Sequence, residues 1–378
     1  MSRARLPALL ALLHLYIGAR LLPALPAPAW PAGALALVLL LTLLLASFGP
    51  VFQARMDKPW RVWSGLIALG FFSSLFVLTL LREPLLLVAT LVGRAERPLL
   101  GGHTAGELSA VAVPAFAALA TLWGWINARR RPGVRNVEVP IQGLPAALEG
   151  FTVVQITDLH VGVTIRRRFV QRVVDTANAL QPDVIAVTGD SVDGRVDELR
   201  EHIAPMGQLV ARHGVFAVTG NHEYYSGAGP WIAEFQRLGM RVLLNEHVVL
   251  QHDGAALVLA GVTDFSGGYF DPAHRSDPSR ALHGAPESAQ PRVLLAHQPR
   301  SADAAERAGA DLQISGHTHG GQFLPWRWFV PLQQPYTAGR HRHGAMWIYI
   351  SRGTGYWGPP KRLGAPSEIT RLRLVAAR

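Results

Sequence analysis

A length of 378 residues exceeds that of one average domain and suits two. Because the chain contains no cysteine, it has no disulfide, no thiolate metal site and no cysteine nucleophile. The formal net charge of +10 favours anionic partners. Since the sequence shows no nucleic-acid motif and its basic residues cluster beside apolar segments, we expect lipid headgroups rather than nucleic acid.

Apolar residues concentrate before residue 125, in four segments that approach the roughly 20 residues a membrane-spanning helix needs. The segments are 6–22, 34–52, 62–81 and 108–126. No charged residue stands near their centres, which counts against a transporter, and we expect His14 and Arg20 at the membrane interface. We therefore predict a transmembrane anchor over 1–130, a basic linker and domain entry over 131–149, and a second domain over 150–378.

Basic residues cluster in every second segment that flanks the four predicted spans, and this pattern predicts the orientation of the chain in the membrane. They precede the first span, separate the second from the third, and follow the fourth: Arg3, Arg5, Arg55, Lys58, Arg61, Arg129, Arg130, Arg131 and Arg135. We expect these segments on the cytoplasmic side of a bacterial inner or plasma membrane. The domain over 150–378 would then be cytoplasmic.

Beyond residue 150, short apolar runs at 151–157, 183–188, 215–219, 292–296 and 312–315 predict buried strands, and 169–180 and 196–211 predict helices. Each strand ends in a polar motif. In order, these motifs read DLH, GD, GNHE, AH and GHTHGG. Because the carboxyl ends of parallel strands meet at one edge of an α/β sheet, we expect the motifs to form one site.

The motifs supply two aspartates, one asparagine and four histidines as candidate metal ligands: Asp158, His160, Asp190, Asn221, His297, His317 and His319. Hard oxygen and borderline nitrogen ligands suit Mn, Fe, Zn or Mg. Seven ligands oversupply one ion, so we expect two divalent ions, with Asp190 as the natural bridge. Glycines precede three ligands, as expected where the backbone approaches a site closely.

Several other polar and aromatic residues near the motifs receive structural interpretations. Asp193 is interpreted as a turn or helix-capping residue. Glu223 is interpreted as orienting a histidine or capping a turn, and Arg352 as reaching substrate phosphate or forming an ion pair. We expect core packing for most aromatic side chains of the late loops, which are Trp326, Trp328, Phe329, Tyr336, Trp347 and Tyr356.

The five motifs resemble those of the calcineurin-like metallophosphoesterases. SGHTHGGQ and the ending YISRGTGYWGPPKRLGAPSEIT are most similar to the membrane-associated YkuE-like and YaeI-like branch. The resemblance implies a two-sheet α/β sandwich with the metal site at the carboxyl ends of its strands. It implies a first metal on Asp158, His160 and His319, a second on Asn221, His297 and His317, with Asp190 bridging. It assigns His222 as a catalytic residue near the leaving oxygen.

We therefore expect a membrane-anchored, metal-dependent phosphoric ester hydrolase that cleaves a phosphodiester or pyrophosphate through a metal-bridging hydroxide. Its substrate is a phosphate ester, with a membrane lipid as one candidate. A lipid-linked nucleotide pyrophosphatase acting on a UDP-sugar lipid is the alternative activity. A non-catalytic membrane receptor or scaffold with structural metals is the alternative of another class.

Overall fold

A computed structural model describes residues 5–52 and 59–377. The chain divides into two compact units. A helical unit comprises residues 1–126 and the short segment Gly358–Lys361. An α/β unit comprises residues 127–357 and 362–378. Arg3, Arg55 and Lys58, on which part of the orientation argument rests, lie outside the described residues.

The helical unit contains helices α1 (Arg5–Leu21), α2 (Trp30–Phe52), α3 (Pro59–Leu91) and the greater part of α4 (Ala105–Arg129). Within the described part of the chain, all four are long and apolar enough to cross a membrane. The prediction of four apolar helices is thereby confirmed. Buried side chains such as Leu10, Ile17, Phe72 and Ala117 pack α1, α3 and α4 together.

Helix α3 continues ten residues beyond the predicted end of the third span, and it carries Arg82 and Glu83 within it. Arg82 is buried because its guanidinium donates to Ser109 Oγ and to the carbonyl oxygens of Arg20 and Gly106. Those acceptors satisfy a charge that sequence alone places in a loop. The predicted end of the third span at residue 81 was therefore too early.

Two further polar side chains lie inside the helical unit. His14 is buried among the helices and stacks on Phe72 with a ring centroid distance of 4.6 Å, and its place at the membrane interface stays a prediction. Lys361, from the segment Gly358–Lys361, donates from Nζ to Gly70 O at 2.9 Å and to Thr121 Oγ1 at 3.2 Å. Hydroxyl and carbonyl acceptors therefore hold its ammonium group in place.

The α/β unit alternates strands and helices. Its strands are β1 (Gly133–Ile141), β2 (Thr152–Ile156), β3 (Val184–Thr188), β4 (Val215–Val218), β5 (Arg241–Val242), β6 (Glu246–His252), β7 (Ala255–Gly261), β8 (Arg292–Leu295), β9 (Leu312–Ser315), β10 (Gly339–His343), β11 (Met346–Ile350) and β12 (Glu368–Ala376). Its helices are α5 (Arg167–Ala179), α6 (Val196–Ile203), α7 (Asn221–Ser226), α8 (Ala228–Arg237), α9 (Pro278–Leu282) and α10 (Ala302–Arg307).

These strands form two six-stranded sheets, ordered β1-β12-β2-β3-β4-β5 and β10-β11-β9-β8-β7-β6. In the first sheet β2, β3, β4 and β5 run parallel and β12 lies antiparallel to β2. In the second sheet β7, β8, β9 and β11 run parallel, and β6 and β10 are antiparallel edge strands. Apolar side chains of both sheets form one buried core, including Val153, Phe216, Leu259, Leu312 and Leu372. The two-sheet α/β sandwich expected from the resemblance is confirmed.

Strand β1 lies in the stretch 131–149 that the sequence marks as a basic linker and domain entry. It pairs in parallel with β12 from Gly133↔Glu368 to Ile141↔Ala376. The stretch is thus built into the first sheet. Helix α6 ends at Ile203, earlier than predicted, because Pro205 follows and the chain turns into a short 3-10 helix.

Replacing Leu372 in β12 with alanine should destabilise the α/β unit. The side chain is fully buried in the core between the sheets, and a cavity of this kind costs about 2–5 kcal/mol. Thermal unfolding of the full-length chain in detergent would show a lower midpoint. Val210→Ala, at an exposed position, is the control. Equal midpoints for the two variants would contradict the core assignment.

Candidate metal centre

The predicted ligands come together at one edge of the sandwich. Asp158, Asp190 and Asn221 follow strands β2, β3 and β4, and His297 and His317 follow β8 and β9. Both sheets therefore deliver side chains to the same edge, as expected for the carboxyl ends of parallel strands. Every one of the seven predicted ligands is at least mostly buried there.

Two groups of donor atoms lie within coordination range of each other. Asp158, His160 and His319 form the first group, with their ligand atoms all within 4.8 Å of one another. In it, His160 Nε2 lies 3.0 Å from His319 Nε2, and His319 Nε2 lies 3.4 Å from Asp158 Oδ1. Two imidazole nitrogens and a carboxylate converging on one point are typical of a divalent metal site.

Asp190, His297 and His317 form the second group. His297 Nε2 lies 3.1 Å from Asp190 Oδ2 and 3.2 Å from His317 Nδ1. Asp190 Oδ2 is also 3.9 Å from His160 Nε2 of the first group. One carboxylate therefore borders both groups.

Asn221 provides a direct test of whether these residues fit a metal. Its side chain is buried, and within the described part of the chain its Oδ1 has no hydrogen-bond partner. A buried carbonyl oxygen without a hydrogen-bond partner destabilises the folded state by about 1–3 kcal/mol. A cation bound at this edge would satisfy that oxygen, so the donor set fits a metal centre.

The backbone at the site is strained in a repeated way. Five predicted ligands adopt the left-handed region that residues other than glycine rarely occupy, with φ between 51° and 70°: Asp158, His160, Asp190, His317 and His319. Such conformations cost of order 1–3 kcal/mol each and persist where surrounding structure enforces them. Here they turn the chain so that successive side chains point into one site.

Two glycines bring backbone segments together around the aspartates. A Cβ added at Gly220 would lie 2.2 Å from Asp190 Oδ1, and one added at Gly316 would lie 2.3 Å from Asp158 Oδ2. Any larger residue would displace the carboxylates. The expectation that glycines before the ligands allow close approach is confirmed at both positions.

Backbone amides hold the two aspartates in place. His317 N donates to Asp158 Oδ1 at 3.0 Å, and His222 N donates to Asp190 Oδ1 at 2.8 Å. Glu223 contributes from behind, since its buried carboxylate accepts from the amides of Asp190 and Gly220. This resolves the two interpretations of Glu223 in favour of capping. Burial and then the charge of Asp190 raise the pKa of Glu223 to about 7.

Asp193 has a role that sequence reasoning missed. Its Oδ1 accepts from His160 Nδ1 at 2.8 Å and from His222 Nδ1 at 2.7 Å. The interpretation as a turn or capping residue was wrong, because the side chain points at the two imidazoles. A carboxylate bound to Nδ1 fixes the tautomer and the ring orientation, leaving Nε2 of each histidine directed into the site. Its position three residues after Asp190 was the available signal.

The protonation of the histidines follows from their surroundings. Burial lowers the pKa of His317 to about 3 and, with the nearby Arg362, lowers that of His319 well below its usual value. Neutral imidazoles are the forms that bind metals. Burial also lowers the pKa of His222, but the carboxylates of Asp190 and Asp193 outweigh it and raise the value to about 9.

Two arginines support the site from the side of β12. Arg352 pairs with Glu368 at 3.0 Å, which resolves its two interpretations in favour of an ion pair. Arg362, only 1% exposed, donates to the carbonyl oxygens of His319 and Arg352 and lies 3.1 Å from His319 Nδ1. Arg362 lies within the ending that resembles the YkuE-like branch, but the sequence assigns it no role because its contacts with His319 come from a distant part of the chain.

Comparison with known proteins agrees with this geometry. The profile of the family Calcineurin-like phosphoesterase matches residues 151–321. A "Transmembrane protein with metallophosphoesterase domain" from Bos taurus is 37% identical over 314 residues, covering 80% of this chain and 70% of that protein. Its namesake from Danio rerio is 32% identical over 372 residues, covering 95% and 84%.

A bacterial relative extends the comparison. The "Uncharacterized metallophosphoesterase YkuE" of Bacillus subtilis is 31% identical over 245 residues, covering 61% of this chain and 81% of that protein. The resemblance drawn from the five motifs is therefore confirmed. The chain belongs to the calcineurin-like metallophosphoesterases, the metal-dependent hydrolases of phosphoric esters, and within them it is similar to proteins that carry transmembrane segments.

Proposed function

We propose that the chain is a membrane-anchored hydrolase of phosphodiester or pyrophosphate bonds with a dinuclear metal centre. Asp158, His160 and His319 would hold one divalent ion, and Asn221, His297 and His317 the other, with Asp190 shared. The observation that carries this proposal is the position of Asp190, whose Oδ2 lies within 4 Å of both donor groups. Mn, Fe, Zn and Mg all suit this mixture of ligands.

Ions held there would supply Lewis acidity to phosphoryl oxygens and lower the pKa of water. The protein's own contribution centres on His222, whose Nε2 lies 3.9 Å from Asp190 Oδ2. Since Asp193 accepts from Nδ1, Nε2 faces the site, and it carries a proton whenever the imidazole is in its charged form. His222 is therefore placed to protonate or hydrogen-bond the leaving oxygen of a bound phosphoester.

A lipid-linked nucleotide pyrophosphatase remains the second candidate, since the membrane helices would place the enzyme beside such a substrate. A non-catalytic receptor with structural metals has less support. A receptor would need no general acid beside the candidate ligands, whereas His222 lies there with its Nδ1 bonded to the carboxylate of Asp193. We also propose that the α/β unit is cytoplasmic, because basic residues including Arg61, Arg129 and Arg130 flank the helices on that side.

Asp190→Asn and His222→Asn should separate metal binding from proton transfer. Asp190→Asn removes the charge shared by both donor groups, so we expect loss of most bound metal and of turnover. His222→Asn should keep its metal and lose about 10²–10⁴-fold in turnover, the range for one general acid. Metal analysis of purified protein and Mn²⁺-supported hydrolysis of an aryl phosphodiester, an aryl phosphomonoester and a UDP-linked lipid would test this.

The outcomes distinguish the three candidate functions. Preferential cleavage of the lipid, lost in Asp190→Asn, would favour the pyrophosphatase. Cleavage of the aryl diester alone would support the general proposal. A metal-replete wild-type protein that cleaves none of the three would favour the receptor, and loss of metal in His222→Asn would refute the separation of roles.

Asp193→Asn should shift the alkaline limb of the pH–rate profile. A general acid works only while protonated, so activity falls as pH rises through the pKa of His222, which is about 9. Removing one of the two carboxylates that raise this pKa should move the fall about one pH unit lower. Asp197→Asn, at an exposed carboxylate paired with Arg195, is the control. An unchanged alkaline limb at unchanged metal content would contradict the role of His222.

The orientation can be tested with a fluorescent protein that matures only in the cytoplasm, fused after residue 378. Four spans with basic loops inside predict strong fluorescence in intact bacterial cells. The matched control carries the same fusion after residue 103, in the predicted external loop, and should remain dark. The reverse pattern would place the α/β unit outside the cytoplasm.

A further inference from the structure

Large aromatic side chains stand exposed immediately beside the candidate acid His222. The ring of Tyr225 lies 5.1 Å from that of His222, and the ring of Trp357 lies 5.8 Å from it. Phe270 continues the surface at 5.7 Å from Tyr225. All three are more than half exposed. An aromatic surface therefore adjoins the point where a substrate would bind.

A loop that leads directly out of the GHTHGG motif continues this exposed surface. Its Trp326, Trp328, Phe329 and Leu332 are all exposed, with Trp328 at 68% and Leu332 at 81%. The expectation that these loop aromatics pack in a core was wrong for the two tryptophans and the phenylalanine. It holds for Tyr356, which is buried.

The loop is fixed to the metal motif rather than free. A Cβ added at Gly321 would lie 2.2 Å from Arg327 Cα, so the loop backbone packs directly on the motif. At its base, Gln322 Nε2 donates to Trp357 O at 2.8 Å and Trp357 N donates back to Gln322 Oε1 at 2.9 Å. These bonds join the loop to the aromatic residues beside His222.

The loop 326–332 carries a single charged residue, the exposed Arg327. Between residues 322 and 343 the sequence contains Arg327, Arg340 and Arg342 and no aspartate or glutamate. Arg300 adds to this positive charge, donating to Gln333 O at 2.6 Å and lying 5.9 Å from the ring centre of the exposed Phe265. Exposed tryptophans interspersed with arginine are typical of segments that lie in the headgroup region of a bilayer.

We propose that this docking surface, formed by Tyr225, Phe270, Trp357 and the loop 326–332, inserts into the headgroup region of an anionic bilayer. Its position beside His222 would bring the phosphate of an embedded lipid to the metal centre. That second statement rests on the proposed hydrolase function, whereas insertion itself does not. It narrows the substrate to an amphiphile whose phosphoester lies at the membrane surface.

The bilayer is the occupant that fits the chain best. Three residues, 130–132, separate helix α4 from β1, so the α/β unit is tied closely to a membrane-spanning helix. Helices that anchor the chain in a membrane would keep this unit near a bilayer. A second copy of the chain would bring Arg300 and Arg327 close to the same arginines of its partner, which opposes association.

The absence of cysteine allows a direct measurement of insertion. Trp328→Cys in the full-length chain, labelled with a thiol-reactive fluorophore, is reconstituted in vesicles of phosphatidylcholine and phosphatidylglycerol that contain nitroxide-labelled lipid. Val210→Cys is the matched control, because Val210 is also 68% exposed and precedes β4 at the opposite edge of the sheet. We expect strong quenching at 328 and little at 210. Leu332→Cys repeats the test should Trp328→Cys fold poorly.

Equal quenching at 328 and 210 would overturn the proposal. Energy transfer between labels at 328 on two chains, without quenching by lipid, would also overturn it and would point to a second copy. The measurement needs no turnover and can be repeated in Asp190→Asn. Insertion therefore stands or falls separately from the hydrolase function.

A second measurement tests the link between the surface and the substrate. Trp328→Ser combined with Leu332→Ser should lower the ratio of vesicle-lipid to aryl-diester turnover at least about tenfold, because two apolar side chains leave the bilayer. An unchanged ratio in an enzyme active on both substrates would contradict the proposal that the substrate is a lipid embedded in the bilayer. Lack of activity on either substrate in the wild type would instead contradict the proposed function.

Discussion

Burial of like charges at one sheet edge is the constraint on which the rest of the site depends. Asp158 and Asp190 are almost inaccessible to solvent, and carboxylates in such surroundings are unfavourable unless they are paired. Backbone amides of His317 and His222 satisfy one oxygen of each. Asp158 Oδ2 accepts from Thr157 Oγ1, and Asp190 Oδ2 lies 3.1 Å from His297 Nε2. Divalent cations bound among these donors would offset the buried negative charge. Five predicted ligands adopt a strained left-handed backbone conformation, which turns their side chains toward the same site.

Sequence indicated the fold and the ligands because both depend on local pattern. The apolar runs that become β2, β3, β4, β8 and β9 end at the predicted motifs within one or two residues. Parallel strands then require that their carboxyl ends meet. No comparable pattern exists for Asp193 or Arg362. Their roles depend on contacts with His160, His222 and His319 that only the folded chain creates.

The partners of the buried polar residues in the helical unit could not be predicted from local sequence pattern either. Hydropathy placed the helices correctly, yet it ended the third at the first charge. Arg82 stays in that helix because acceptors from two other helices surround its guanidinium. Lys361 comes from a distant part of the sequence, and its ammonium group donates to carbonyl and hydroxyl oxygens of the helical unit. Periodicity cannot reveal partners supplied by other segments.

Residues 357–362 belong to both units of the chain. Trp357 contacts His222, Arg362 supports His319, and residues 358–361 between them belong to the helical unit. A segment of six residues thus includes one neighbour of the candidate acid, one support of a candidate ligand, and a lysine bonded within the membrane helices. Residues 358–361 thus leave the α/β unit and return to it between two residues that contact the candidate site, a connection that is visible in the folded chain and in no sequence motif.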